Sequence, residues 1–117
     1  MIRGEIYLAD LEPRQGAEAN KARPVILVGN NPSLTAAKRY GHGVVTVVPC
    51  TANTDARGPM HVVLLPTKLN GLGVRSKAQT EQIRSIDVSR IQQRIGKLGV
   101  NDLAGIDAAI RYHLDLR

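Results

Sequence analysis

Three short stretches carry side chains that could act on an anionic substrate. Lys21-Ala22-Arg23-Pro24 sets a guanidinium where a long polar segment meets an apolar run. Pro49-Cys50-Thr51 sets a hydroxyl at the far end of a second apolar run. Glu81-Gln82-Ile83-Arg84 sets a carboxylate, an amide and another guanidinium ahead of a third. A guanidinium fork matches the oxygens of a phosphate and stays protonated, and a hydroxyl can donate to the same group. Arg23 precedes its apolar run and Thr51 follows its own, so antiparallel pairing of the two would bring both groups to one end of a sheet. Strand ends also commonly carry a surface cation, a turn hydroxyl and a solvated acid with no chemical role. Spacing alone leaves both readings open.

The elements that must position these groups follow from periodicity. Gly4–Asp10 alternates and predicts a first strand. Glu12–Lys21 is turn-rich, charged and without period, which predicts a long loop of the kind that often carries function. Pro24–Gly29, Val44–Cys50, Met60–Leu65 and Val74–Gln79 read as further strands, with Pro24 at a strand start where its missing N–H is harmless. Between them, Leu34–Arg39 allows a short helical turn, Thr51–Pro59 is a second polar loop, and Asn70-Gly71 signals a tight turn. Ile83–Asp87 is a short extended segment, Val88–Ile91 a single turn, and Arg94–Leu98 a small edge strand. The period then changes: Leu103, Ile106, Ile110 and Leu114 fall on one face of a helix of about 14 residues, with Asn101 as its expected cap. Many strands followed by a helix predict a mainly β, α+β fold, a strongly twisted or barrel-like antiparallel sheet with the helix packed on it.

Composition narrows the function classes. At 117 residues and 43% hydrophobic content, one domain over 1–117 is expected, with a core of Val, Ile and Leu because Phe and Trp are absent. A formal charge of +6, from 16 Lys and Arg against 10 Asp and Glu, points to a polyanionic partner. Aromatic residues make up only 3%, which weighs against ring-stacking RNA platforms. No P-loop or dinucleotide fingerprint is present, and the lone Cys50 excludes an internal disulfide or a multi-cysteine zinc site. His42, His61 and His113 lack metal-ligand spacing, so neither metal nor cofactor is expected. The N-terminus lacks the apolar core of a signal peptide and no run is long enough to span a bilayer, so a cytoplasmic location without membrane contact is expected.

Four segments together carry a resemblance. Arg3–Pro13 with Gly16-x-Glu18, Arg23–Val28, Val47–Thr51 and Glu81–Asp87 resemble, in order, the motifs of the MazF/PemK/Kid toxin family of type II toxin–antitoxin systems. The resemblance implies a small SH3-like twisted barrel of the PemK/CcdB type with a C-terminal helix. It implies a homodimeric, metal-independent endoribonuclease (an mRNA interferase) that cuts single-stranded RNA sequence-selectively. Messenger RNA is the first target class, with ribosomal or transfer RNA as others. A cognate antitoxin with an acidic, flexible tail would block the RNA groove.

By the same resemblance Arg23 and Thr51 match the catalytic pair, and Glu18 the acid of the first loop. Glu81 matches the carboxylate assigned as base in the Kid branch, and Gln82 a position that contacts RNA. The RNA surface is thus expected to draw on Glu18, Lys21, Arg23, Thr51, Gln79, Gln82 and Arg84. Two departures stand out: Ala17 replaces a frequent Ser, and Gln79 stands where the Kid branch has an Arg credited with acid catalysis. For the 2′-OH proton, Glu81 ranks ahead of Glu18, with His61 next because imidazole is the side chain that exchanges protons near neutrality. The competing reading is a non-catalytic, CcdB-like poison of DNA gyrase acting through protein binding, since a shared fold does not settle function.

Overall fold

The computed structural model describes residues 1–11 and 22–117. Seven strands and two helices follow in order: β1 (Glu5–Ala9), β2 (Arg23–Leu27), α1 (Asn31–Tyr40), β3 (Val44–Thr51), β4 (His61–Leu64), β5 (Ser76–Gln79), β6 (Arg84–Asp87), β7 (Ile91–Lys97) and α2 (Val100–Leu114). Single 3-10 turns at Thr80–Gln82 and Val88–Arg90 flank β6. All pairings are antiparallel, in the order β4-β5-β3-β2-β1-β7, with β6 paired to β3 off that path. The path is open: the expected barrel is a twisted sheet whose end strands β4 and β7 are not paired with each other.

β3 is the spine. Its middle bonds β2 on one side and its first half bonds β6 on the other, with Val25 opposite Pro49 and Val47 opposite Arg84. Its last two residues bond β5 instead, with Thr51 opposite Lys77. Alternation along the strands divides the apolar residues between two faces. Tyr7, Ala9, Val25, Leu27, Val45, Val47 and Ile86 line one face, covered by Leu34 and Ala37 of α1. Ile6, Ile26, Val48, Cys50 and Ala78 line the other, covered by Ile106 of α2 with Leu103 and Ile110 partly buried beside it.

Two sequence expectations need correction, and a third holds with a different closure. The short turn at Leu34–Arg39 is a ten-residue helix, capped by the Asn30 side chain accepting from the Ser33 N–H (2.9 Å) and closed by Gly41 at φ +69°. Asn101 is not the cap of α2. The Lys97 and Leu98 N–H groups bond back to Leu69 and Gly4, so the chain stays extended up to Gly99, which caps the helix without a side-chain bond. The turn expected at Asn70-Gly71 does form, closed by the Gly71 N–H donating to the Thr67 carbonyl (3.0 Å). Asn70 is buried and accepts from the Thr67 and Leu72 N–H groups, while Gly71 (φ +69°) lies so close to β7 that a Cβ would fall 1.9 Å from the Ile95 carbonyl oxygen.

Candidate functional site

Arg23 opens β2 and Thr51 closes β3, and the two strands run antiparallel. Pairing ends at Val25–Pro49, but the same register carried two residues further sets Arg23 opposite Thr51. Both alternate onto the α1 face, in phase with Val25 and Leu27 on β2 and with Val45 and Val47 on β3. Beyond the reach of α1 that apolar face gives way to a groove of about 230 Å³ lined by Leu11, Arg23, Pro49, Gln79, Gln82 and Arg84. Arg23 and Arg84 are exposed. Among the described residues neither forms an ion pair with a carboxylate, and Arg84 Nη1 makes only a long contact (3.5 Å) to the Leu11 carbonyl. Two guanidiniums and two amides in one concavity form a site for an anion flanked by groups that both donate and accept hydrogen bonds.

Thr51 sits beside this groove rather than in its lining, two residues along from Pro49. Its Oγ1 accepts from the Asn53 N–H (3.2 Å), which fixes the side chain and leaves the hydroxyl proton free to donate outward.

Glu81 is not part of the groove lining. Its Oε2 lies 2.8 Å from His61 Nε2, while Oε1 is buried with no partner among the described residues. The Gly58 N–H donates to His61 Nδ1 (3.0 Å), so the proton of a neutral ring resides on Nε2 and points at Glu81. Two of the three base candidates, Glu81 and His61, are thus hydrogen-bonded to each other, at a step on β4 where His61 pairs with Gln79 of the groove. Glu18 and Lys21 lie outside the described residues. Cys50 is buried, and burial pushes its thiol up to about 12, which leaves no thiolate for chemistry at neutral pH.

Residues 2–114 match the family of PemK-like, MazF-like toxins of type II toxin–antitoxin systems. Endoribonuclease MazF9 of Mycobacterium tuberculosis is 47% identical over 116 residues, which cover 99% of this chain and 98% of that protein. The chain belongs to this toxin family. Among solved structures, the Mycobacterium tuberculosis toxin MazF-mt6 superposes with a TM-score of 0.73 at 27% identity, covering 97% of this chain and 98% of that one. An endoribonuclease from a mycobacterial species, solved in complex with its cognate antitoxin, superposes at 0.74 over 100% of this chain and 97% of that one; at 23% identity it shows the shared fold.

Of the residues singled out by resemblance to MazF and PemK, Arg23, Gln79, Gln82 and Arg84 converge on the groove, Thr51 flanks it, and Glu81 turns to His61. Pro49 and Leu11 complete the walls; both lie in segments that carry the resemblance, though neither was singled out as a site residue. Lys77, also missed, is a lysine only 6% exposed that pairs with Thr51. Its only trace in the sequence is a charge inside a predicted strand. Among the described residues no three His, Cys, Asp or Glu side chains converge, and no described helix is long and apolar enough to cross a membrane.

Proposed function

We propose that this MazF-like toxin is a sequence-selective endoribonuclease that cuts single-stranded RNA without a metal, the 2′-OH attacking the adjacent phosphorus. In that step the 2′-O–P bond forms, the P–O5′ bond breaks, and charge gathers on the non-bridging oxygens. A fixed cation there stabilises the transition state more than the ground state. Arg23 supplies that charge and Arg84 a second one on the RNA backbone. The Thr51 hydroxyl donates to the phosphate and holds it in line. Neither group is a base near neutrality, so the 2′ proton passes to a carboxylate. We assign Glu81, oriented by His61, with Glu18 as the competing acid. Gln79 and Gln82, able to donate and accept, read base edges and give selectivity.

The observation that carries this reading is the pair of guanidiniums, free of carboxylate partners among the described residues, in a groove whose strand register leads to Thr51. The 47% identity to a protein named as an endoribonuclease supports it. We further assign a homodimer, whose two-fold pairing would extend the groove for an oligonucleotide. The proposed antitoxin carries an acidic, flexible tail, to which the +6 charge is complementary. Messenger RNA is the proposed substrate class.

The test is incubation of the purified protein with a long mixed-sequence RNA in EDTA, with cleavage sites mapped at single-nucleotide resolution. Fragments ending in cyclic or 3′-phosphate, at a recurring short sequence, are expected. RNA left intact, or cut only on adding Mg²⁺, overturns the reading; intact RNA with inhibited DNA supercoiling replaces it with a gyrase poison.

A further inference from the structure

The loop that follows Thr51 is wired at four successive points. The Asn53 N–H donates to Thr51 Oγ1 (3.2 Å) and the Asp55 N–H to Asn53 Oδ1 (3.1 Å). The Ala56 carbonyl accepts from Lys77 Nζ, and the Gly58 N–H donates to His61 Nδ1 (3.0 Å). The first two bonds are local. The last two come from strands β5 and β4 and tie the loop to the sheet. Burying an amine is costly unless it is well partnered, and the Ala56 carbonyl is one such partner. Lys77 also stands directly opposite Thr51 in the β3–β5 ladder, and paired residues share a face. Cys50 and Ala78, the next pair, face the α2 core, so Thr51 and Lys77 both face the other way, toward the loop.

We infer that Lys77 is a positioning residue for the Thr51 hydroxyl: from across the ladder its ammonium pins the Ala56 carbonyl, and the loop so held presents the Asn53 N–H that fixes Thr51 Oγ1. This rests on the ribonuclease reading for its effect on rate, but the linkage itself is a property of the fold. The bond from Asn53 occupies one lone pair of Oγ1 and sets the rotamer, so the hydroxyl proton is already aimed when a phosphate arrives. Small errors in such placement are costly, on the order of a hundredfold for about 1 Å.

The experiment compares wild type with Lys77→Met, which keeps most of the aliphatic stem and removes the charge. The expected result is a fall in kcat of about ten- to a hundredfold with KM nearly unchanged. Amide hydrogen exchange at Asn53 should accelerate while Val48, in the strand core, stays protected. In a Thr51→Val background, Lys77→Met should change the residual rate less than about twofold, because a residue acting through Thr51 has nothing left to position. Equal losses in the two backgrounds, or unchanged Asn53 exchange in Lys77→Met, overturn the inference. Asn53→Pro removes the same N–H from an exposed position without touching the buried amine; wild-type kcat in that variant also overturns it. The exchange measurement needs no RNA. A wild type that cuts nothing therefore sinks the nuclease reading and leaves the linkage to be decided by exchange alone.

Discussion

Two pockets among the described residues have arginines in their walls, and they differ in whether one of those arginines is held by a carboxylate. The larger, about 370 Å³, is lined by Arg3, Asp107, Ile110 and Arg111 at the junction of the N-terminal segment and α2. There Arg3 is engaged, with Nη2 meeting Asp107 Oδ1 at 2.7 Å and Nε donating to the Val28 carbonyl at 2.9 Å, while the exposed Arg111 meets no carboxylate among the described residues. The smaller pocket, about 230 Å³, holds Arg23 and Arg84 with no carboxylate against either among the described residues. Size favours the first as a site, and charge favours the second. An arginine bonded to a carboxylate closes a structure; one without such a partner can meet a substrate.

The sharpest way to break this contrast is to remove one arginine from each pocket. Arg23→Ala should lower RNA cleavage by about two to four orders of magnitude, the range for losing a charge-stabilising group. Arg3→Ala should leave the rate per folded molecule unchanged and lower stability by about 1–2 kcal/mol, as for a lost charged hydrogen bond. Steady-state kinetics beside urea unfolding would settle it, and exchanged phenotypes would reverse the assignment.

A milder test concerns the second guanidinium of the groove. Arg84→Ala should weaken binding of a non-cleavable RNA about tenfold, and the slope of log affinity against log salt should fall by about one. An unchanged slope would take Arg84 out of the RNA contact.

The groove was partly legible before the fold was known. Arg23 at a strand start and Thr51 at a strand end come to the same end of the sheet through antiparallel register, and both positions follow from where apolar runs begin and stop. The strands were legible for the same reason: Val and Ile at alternating positions leave few other ways to bury a core without Phe or Trp. What could not be read depends on loops folding back. Nothing local says that residue 56 meets Lys77, or that His61 and Glu81, 20 residues apart, are hydrogen-bonded. The cap of α2 was misplaced because Asn101 has the chemistry of a cap, while hydrogen bonds to distant Gly4 and Leu69 decide where the strand stops.

The smallest expected effect lies on the sheet, away from both pockets. Burial raises the Glu5 carboxyl, but the Ile2 N–H and the Arg94 guanidinium on β7 outweigh it and hold the carboxyl below its usual 4.5. A depressed carboxylate pKa means the contribution is present above the ordinary value and fades as pH falls through the lower folded one. Glu5→Gln should thus cost about 0.5 kcal/mol near neutrality, and denaturant midpoints of variant and wild type should converge under acid. A gap that persists below pH 3 would mean that packing, not charge, ties the two strands here.

β3 takes part in three ladders, and this has a mechanical meaning. The part of the groove wall made by Pro49 and the hydroxyl at Thr51 are separated by two residues of one extended chain, about 7 Å. Their spacing is therefore held by covalent bonds, and thermal breathing that loosens the flanking hairpin can swing the hydroxyl without stretching it away from the wall.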